Sequence, residues 1–378
     1  MFIFSIAKKL AAGFIPIHFV KVLHREKPKY KTSRDRKKRG GGFGVWIFLI
    51  LAIVAIYFFW RHEHFKKYAP AKTVVSKTSP KPFTVSRQSS VDFPRAVHDV
   101  FEAQVALARR GISPGSLDAA VGSQTRAAIL VFQQFQHLPI TGKLDALTRS
   151  NLMLDAPILA TYTVTTNDLA RLQSLGKTWI EKSQQSALDY ETELELVAEK
   201  SHSHPALIRL LNQNVNWTNI SAGTVLKIPD VNYPEPNDKA AFVAIHLSEK
   251  FLEAFDAQTN LLLHVPCSIA AKVEKRPVGE LHVVVVAPNP NYTFDPELFP
   301  EAPESKTLDH KLIIPPGPNN PVGVAWIGLD KIGYGIHGTP VPEQVGRTES
   351  HGCFRLANWD AEYLVNLVWA GMPVFVEP

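Results

Sequence analysis

An uninterrupted apolar segment divides this chain and limits what the residues on either side of it can become. The segment is the 18-residue run Phe43–Trp60, FGVWIFLILAIVAIYFFW, which carries no charged side chain. As a helix it covers about 27 Å, close to the hydrocarbon thickness of a bilayer. Trp46, Tyr57 and Trp60 suit the two interfaces. The alternative is a buried core helix, but such helices seldom run this far without a charge, so we expect a single membrane span.

The charges in front of this span predict its orientation. Residues 1–42 carry 12 Lys and Arg against Glu26 and Asp35, a net charge of +10 in a chain whose total is +6. Because basic residues stay on the cytoplasmic side, we expect a basic cytoplasmic segment over 1–42 and export of everything after residue 60. A cleaved signal peptide fits less well, since its lead would be too long and no small-residue cleavage site follows. The rest of the chain is mildly acidic, which argues against a nucleic-acid partner.

The exported part begins with a segment that has no apolar periodicity. Residues 61–93 are rich in Lys, Ser, Thr and Pro. We expect a flexible linker that averages about 30 Å end to end and reaches roughly 90 Å when extended. The linker would let the following domains work well away from the bilayer.

Residues 94–156 have the apolar spacing of a small helical bundle. One apolar stripe runs through Val97–Arg110, and a second helix repeats apolar residues at positions 128, 131, 132 and 135. The order of the residues resembles a three-helix peptidoglycan-binding domain, and the positions that carry the resemblance are Gly111, Asp118, Gly122, Thr125, Phe132, Gln133, Thr141, Gly142 and Leu152. This copy has Ala119 where the family often has Gly.

Residues 157–232 resemble an interrupted LysM-like α/β module. The end of this region fits the LysM pattern I-x-x-G-x-x-L-x-I-P, with Ile220, Gly223, Leu226, Ile228 and Pro229. Between its two halves lies KSQQSALDYETELELVAEK, residues 182–200, which we expect to be an unusually long charged helix. Two roles stay open for this module, namely binding glycan and spacing the neighbouring domains.

The last region, residues 238–378, is predicted to be rich in β-structure. Runs such as AFVAIHLSEKFLEAFD, NLLLHVPCSI and ELHVVVVAP have the composition of antiparallel strands, and a helical period returns only at Asp360–Val368. The complete chain is therefore expected to be a multidomain α+β protein.

This region also carries residues suited to thiol chemistry. Cys353 lies 16 residues after His337 and two after His351. A thiol that cleaves an amide needs a base, an oxyanion site and fixed geometry. His337 is the preferred base because it comes from another strand, whereas His351 shares the local segment of the sulfur. Gly352 lets backbone N–H groups turn toward an oxyanion, and Arg355 either holds a substrate carboxylate or braces the loop.

A disulfide and a zinc site are the two other interpretations of these residues. Cys353 and Cys267 are the only cysteines, and an exported pair can form a disulfide. A body of more than 300 residues does not need one, and Cys267 lies in an apolar strand where a buried thiol is expected. A zinc site of His337, His351 and Cys353 would have only three ligands and no paired Cys spacing. We therefore expect no metal and no cofactor.

The stretch HGTPVPEQVGRTESHGCFR resembles the catalytic signature of the L,D-transpeptidase (YkuD) family, and PVGEL and PPGPNNPVG upstream match as well. The resemblance implies that Cys353 is the nucleophile and His337 the base, oriented by the Gly338 carbonyl. It further implies that Ser350, His351 and Gly352 shape the oxyanion loop. Arg355 stands where some members have Asn. An Arg at this position is similar to the branch that includes lipoprotein-attaching and cross-linking enzymes. Members of the family form a thioester with the third residue of a tetrapeptide stem and expel the terminal D-Ala, and their sulfur is a target of carbapenems.

These inferences combine into one functional expectation. It is a single-pass enzyme of the bacterial cytoplasmic (inner) membrane whose catalytic domain is periplasmic or otherwise extracytoplasmic. Its partners are peptidoglycan, as stem donor and amine acceptor, and the membrane. An L,D-carboxypeptidase that uses water as acceptor shares the same acyl-enzyme and is not separated by the sequence. A non-catalytic peptidoglycan tether is the other alternative, although a tether has no need of an intact thiol, base and arginine.

Overall fold

The structure is a computed structural model, and it describes residues 92–236, 238–348, 350 and 352–378. The predicted basic segment 1–42, the predicted span 43–60 and all but the last two positions of the linker lie outside the described residues. His351 lies outside them as well. Within the described ranges, no helix combines the length and the apolar character needed to cross a membrane.

The N-terminal module, residues 94–156, has the three predicted helices. These are α1 (Val100–Ala108), α2 (Ser123–Phe135) and α3 (Ala146–Asn151). A short antiparallel pair, β1 (Arg95–Ala96) and β2 (Met153–Leu154), joins the two ends of the module. Asp99 and Asp145 cap α1 and α3, because each carboxylate accepts a backbone N–H of the first turn. The apolar stripes meet in one core that includes Leu107, Phe132 and Leu152.

The middle module, residues 157–232, closes on a two-stranded sheet. β3 (Leu159–Thr163) pairs antiparallel with β4 (Val225–Pro229). Four helices lie between these strands: α4 (Thr166–Ala170), α5 (Trp179–Ser183), α6 (Glu193–Lys200) and α7 (Pro205–Leu211). Asn212 ends α7, and its side chain both donates to the carbonyl and accepts from the N–H of Lys227, each at 2.8 Å. This asparagine thus ties the end of α7 to β4.

The prediction of one long helix over residues 182–200 is wrong. Helical structure stops at Ser183 and resumes at Glu193, where Thr192 caps α6. Leu188 and Tyr190 lie buried in the non-helical stretch, and the backbone N–H of Leu188 bonds outside the module, to Pro316 O at 2.8 Å. Burial of these two side chains replaces the helix that the charged composition indicated. We call residues 173–191 the insert.

The C-terminal domain, residues 238–378, is built on a mixed sheet. Its eight strands have the order β13-β12-β11-β8-β14-β5-β6-β7. All neighbours are antiparallel except β12 with β13 and β14 with β5. The strands are β5 (Phe242–His246), β6 (Phe251–Phe255), β7 (Leu261–Pro266), β8 (Gly279–Pro288), β11 (Ala325–Leu329), β12 (Gly335–His337), β13 (Phe354–Arg355) and β14 (Pro373–Glu377). The β-rich prediction is confirmed.

Two further elements complete the domain. The helix α8 (Asn358–Leu367) buries Leu364 and Leu367 in the same core as the sheet residues. Strands β9 (Tyr292–Phe294) and β10 (Leu312–Ile314) pair only with each other among the described residues. We call residues 292–314, which are these two strands and their connection, the hairpin.

Backbone hydrogen bonds join the N-terminal module to both neighbours. Ser113 N donates to His264 O at 2.7 Å, and His264 N donates to Gly111 O at 2.8 Å, which ties the module to β7. On its other side, Leu117 exchanges two bonds of 2.9 Å with His202 and His204 of the middle module. The three regions therefore pack as one body over the described residues.

Candidate active site

Two short strands at one end of the sheet position the predicted base and the residue that follows the predicted thiol. β12 and β13 are parallel, and their register pairs Ile336 with Phe354 and His337 with Arg355. Cys353 is the residue immediately before β13. Because side chains alternate between the faces of a strand, Cys353 and Arg355 share one face, and the pairing places His337 on it.

The imidazole of His337 is buried and fixed at one nitrogen. Its Nδ1 lies 2.6 Å from the carbonyl oxygen of Gly338, so Nδ1 is the donor and carries the proton. The ring also stacks on Trp326, with centroids 5.8 Å apart and planes at 25°. Burial lowers the pKa of His337 to about 4. A neutral imidazole with a proton on Nδ1 leaves Nε2 able to accept one.

Cys353 is a free, half-buried thiol. Burial raises its pKa above the usual value, while the Gly335 backbone and the charge of Arg355 act in the opposite direction. Within the described residues, the Sγ donates a hydrogen bond of 3.5 Å to the carbonyl oxygen of Gly333. The resting pair is thus a neutral thiol and a neutral imidazole, so the proton must move during the reaction.

Arg355 supplies a cation beside this sulfur. Its backbone is fixed, since the N–H donates to Ser268 O at 2.9 Å and the carbonyl accepts from Ser268 N at 2.8 Å. Its half-buried guanidinium forms no ion pair or hydrogen bond with the residues that the structure describes. Burial lowers the pKa of Arg355, with the two cysteine sulfurs opposing that shift. Over the part of the chain that the structure describes, no carboxylate neutralises the charge of Arg355.

Ser350 shapes the turn that presents the thiol. Its Oγ donates to the carbonyl oxygen of Cys353 at 2.5 Å and accepts from Gly352 N at 3.3 Å. Its backbone is anchored to the segment that follows β7, since Ser350 N donates to Ile269 O at 2.8 Å and Ser350 O accepts from Ala271 N at 3.0 Å. The turn is therefore held on both sides of His351, which itself is not described.

Packing within the protein does not require a glycine at position 352. A Cβ there would lie 3.9 Å from the Tyr334 ring, which is ordinary contact.

Cys267 is the other thiol, and its surroundings differ. It is fully buried in the core of the sheet, and burial raises its pKa to about 12. Both cysteines are free, which rules out the disulfide interpretation. No group of three or more His, Cys, Asp or Glu side chains in the described ranges is arranged to hold a metal ion. The zinc interpretation depended on His351, which those ranges omit.

Asn358, at the start of α8, is a site residue that the sequence reasoning missed. Its Oδ1 accepts from Thr339 N at 2.9 Å and Val324 N at 3.3 Å. Its Nδ2 donates to Glu199 Oε1 at 2.9 Å, on α6 of the middle module. The loop that carries the Gly338 carbonyl packs so closely that a Cβ at position 338 would lie 2.3 Å from Asn358 Oδ1. The only local signal was an Asn five residues after Cys353, and nothing in the sequence linked it to Glu199.

A separate cavity of about 390 Å³ lies between the insert and α8. Its lining includes Arg171, Asp189, Gly317 and Glu362. Neither Cys353 nor His337 lines it, so it is not the candidate site.

Comparison with known proteins identifies two domains. Residues 240–376 match the model of the L,D-transpeptidase catalytic domain, and residues 97–152 match that of the "Putative peptidoglycan binding domain". The two corresponding resemblances drawn from the sequence are confirmed. The LysM-like resemblance stays a prediction.

Individual relatives cover different shares of the chain. The "Putative L,D-transpeptidase YkuD" of Bacillus licheniformis is 26% identical over 50% of this chain and 94% of its own length. The "Putative L,D-transpeptidase YqjB" of Bacillus subtilis is 35% identical over 26% of this chain, which spans about half (51%) of that relative. A solved L,D-transpeptidase from Mycobacterium smegmatis is 18% identical, with a TM-score of 0.29, over 42% of this chain and 76% of its own.

Proposed function

We propose that this protein is a membrane-anchored peptidoglycan L,D-transpeptidase that works through a thioester on Cys353. The observation that carries the proposal is a free thiol directly before β13 and an imidazole on the partner strand β12, with the Nδ1 proton of His337 donated to the Gly338 carbonyl. The match of residues 240–376 to the L,D-transpeptidase catalytic domain supports the same chemistry.

The reaction begins with proton transfer from the thiol. Nε2 of His337 takes the Cys353 proton as the sulfur attacks the carbonyl carbon of the third residue in a tetrapeptide stem. The oxyanion develops beside the turn that Ser350 anchors, where the Gly352 N–H, held by a long 3.3 Å bond to Ser350 Oγ, is the proposed donor. When the carbon–nitrogen bond breaks, the imidazolium gives its proton to the leaving D-Ala amine, and the thioester remains.

The second half-reaction releases the sulfur. An acceptor amine attacks the thioester, its proton passes to Nε2 of His337, and the thiolate leaves and regains that proton. The new amide is a cross-link between stems or an attachment to a protein. Arg355 is proposed to bind a substrate carboxylate, because its guanidinium lies near the Cys353 sulfur and forms no ion pair or hydrogen bond with the described residues.

Anchoring would concentrate the enzyme on its substrate. Residues 43–60 are proposed as the span that places the catalytic domain outside the cytoplasm, with the linker 61–93 as its tether. Residues 97–152 match the peptidoglycan-binding model, and the LysM-like module is proposed as a second contact with the wall. Two modules on one chain raise the local substrate concentration without tight affinity in either.

The test is incubation of the full chain, in detergent, with disaccharide-tetrapeptide. We expect a cross-linked dimer and one free D-Ala per transfer, measured by mass spectrometry. Cys353→Ala abolishes both products, and Cys267→Ala retains them. Tripeptide without dimer assigns the protein as an L,D-carboxypeptidase instead. Binding to sacculi without either product identifies a tether and overturns the enzymatic proposal.

A further inference from the structure

The hairpin leaves the main sheet at the end that carries His337. Pro288, the last residue of β8, pairs with Ala325 of β11, and the next residue, Trp326, pairs with His337 of β12. β9 begins four residues after Pro288 and pairs with β10, with Tyr292 opposite Ile314 and Phe294 opposite Leu312. A two-stranded ribbon of this size is marginally stable alone, and its position depends on what packs against it.

The insert of the middle module supplies that packing. Trp179 stacks on Phe294, with ring centroids 4.5 Å apart and planes at 15°. The same indole lies 5.9 Å from the Tyr292 ring. Leu188 is fully buried in one cluster with Phe294 and Ile314. The apolar side of the hairpin is thus covered by residues that interrupt a different module.

Hydrogen bonds fasten the insert at both ends of the hairpin. Trp179 N donates at 3.0 Å to the Glu304 carboxylate, which lies in the connection between β9 and β10. Just after β10, Leu188 N donates to Pro316 O at 2.8 Å, and Asn319 N donates to Leu188 O at 3.0 Å. A Cβ at Gly317, whose φ is +140°, would lie 2.2 Å from Leu188 O. The two backbones therefore meet in direct contact at a position where a side chain cannot fit.

Most of the large apolar residues of the insert pack against the hairpin. α5 is a five-residue helix whose ends are set by the Thr178 and Glu181 capping box. Ile180, the neighbour of Trp179, is 38% exposed and lies outside the hairpin cluster. Of the apolar residues of the insert, Leu175, Trp179 and Leu188 pack in the hairpin cluster, whereas Tyr190 packs in the core of the middle module.

We propose that the insert is a clamp that fixes the hairpin, and with it Tyr292, at the end of the sheet that carries His337. Trp179 and Leu188 are then positioning residues for the acyl transfer, although they belong to the LysM-like module. A fixed hairpin presents one constant surface to a long peptide stem that extends past Cys353, whereas a small thiol reagent needs no such surface. This role in turnover rests on the proposed function.

The test compares Trp179→Ala with Ile180→Ala in the full chain. We expect Trp179→Ala to speed amide exchange in residues 292–314 by at least about tenfold, the change that 1.4 kcal/mol of lost packing produces. Its kcat/KM for disaccharide-tetrapeptide falls by a similar factor, mainly through KM. Iodoacetamide modifies Cys353 at the unaltered rate or faster. Ile180→Ala leaves all three values within about twofold, the range of a neutral surface change.

A conservative variant separates positioning from general damage. Trp179→Phe keeps a ring against Phe294, so it restores most of the protection and of the kcat/KM. Unchanged exchange of the hairpin in Trp179→Ala overturns the clamp. A loosened hairpin with normal turnover overturns the positioning role. If the wild type lacks turnover, the proposed function fails, yet the exchange measurement still decides whether the clamp exists.

Discussion

At the scale of single residues, the candidate site combines two neutral groups. Reactive cysteines commonly have a lowered pKa, but burial has raised that of Cys353. Burial has also lowered the pKa of His337, to about 4. A thiolate–imidazolium pair is therefore not the resting state of these two residues. In the proposed reaction, proton transfer accompanies the attack of the sulfur, and the tautomer fixed by Gly338 leaves Nε2 able to accept that proton.

The pH dependence of acylation follows from this base. A lowered pKa keeps His337 unprotonated, and so active, until the pH falls through about 4. We expect the rate at which meropenem acylates Cys353, followed by intact mass, to reach half its plateau near that pH. A free imidazole would give a half-point near 6.5. Circular dichroism at each pH controls for unfolding, and a half-point near 6.5 in folded protein would exclude a buried His337 as the base.

Arg355 gives a second prediction at this scale. If its guanidinium holds a substrate carboxylate, Arg355→Ala removes a charge-assisted, bidentate contact and raises KM for the tetrapeptide by about tenfold to a hundredfold. Arg355→Lys keeps the charge but not the planar fork, so an intermediate KM is expected. Steady-state kinetics with both variants checks this. A normal KM in Arg355→Ala would leave only the loop-bracing role.

At the scale of elements, α8 holds the loop of the base through Asn358. Asn358→Ala leaves the N–H groups of Val324 and Thr339 unpaired, together with the Glu199 carboxyl. We expect a loss of about 3 kcal/mol in the free energy of unfolding, measured with urea, and slower acylation of Cys353. Asn366→Ala is the matched control, because that exposed side chain bonds only within α8, to Glu362 O. An equal effect of the two substitutions would remove Asn358 from the site.

Local sequence signals predicted most elements but not their partners. The apolar periodicity at positions 128–135 lies in α2, as expected. The prediction of a helix over residues 182–200 failed because Leu188 is buried against the hairpin, which is distant in sequence. The charged composition predicted a helix there, and no local pattern indicates that packing against a neighbouring domain will replace it.

At the scale of the whole molecule, buried carboxyls lie where the modules meet. Glu199 of α6 contacts Asn358 of α8, and burial raises its pKa to about 8, with the Asn358 hydrogen bond opposing. Asp360 lies within hydrogen-bond range of Tyr233 and of Ser113 in the N-terminal module, and burial raises its pKa to about 7. The junction therefore favours protonated carboxyls.

This arrangement predicts how Glu199 affects stability. The folded state keeps a proton that the unfolded chain releases above about pH 4.5, so the contribution of Glu199 is full below that pH and declines until about pH 8. Glu199→Gln cannot ionise and lacks the decline. The free energy of unfolding of Glu199→Gln, relative to that of the wild type, is expected to rise by at least about 1.4 kcal/mol between pH 5 and pH 8. This is the equivalent of one pKa unit. A constant difference in urea titrations would contradict the buried, protonated carboxyl.

The sequence located the candidate chemistry but not the assembly around it. Cys353 and His337 were recognisable because their motif is local, and the structure places His337 on β12 and Cys353 directly before its partner strand β13. Glu199, Trp179 and Asn358 were not, since their roles arise only when the modules pack. The membrane span at 43–60 stays a prediction from the sequence.

The central claim is that Cys353 carries the acyl group. The most direct measurement is the mass of the full chain, quenched with acid shortly after mixing with disaccharide-tetrapeptide, followed by peptide mapping. We predict an added mass equal to the substrate less D-Ala, on the peptide that contains Cys353, and its absence from Cys353→Ala. Product formation without this adduct, or an adduct mapped to Cys267 or another residue, would contradict the account.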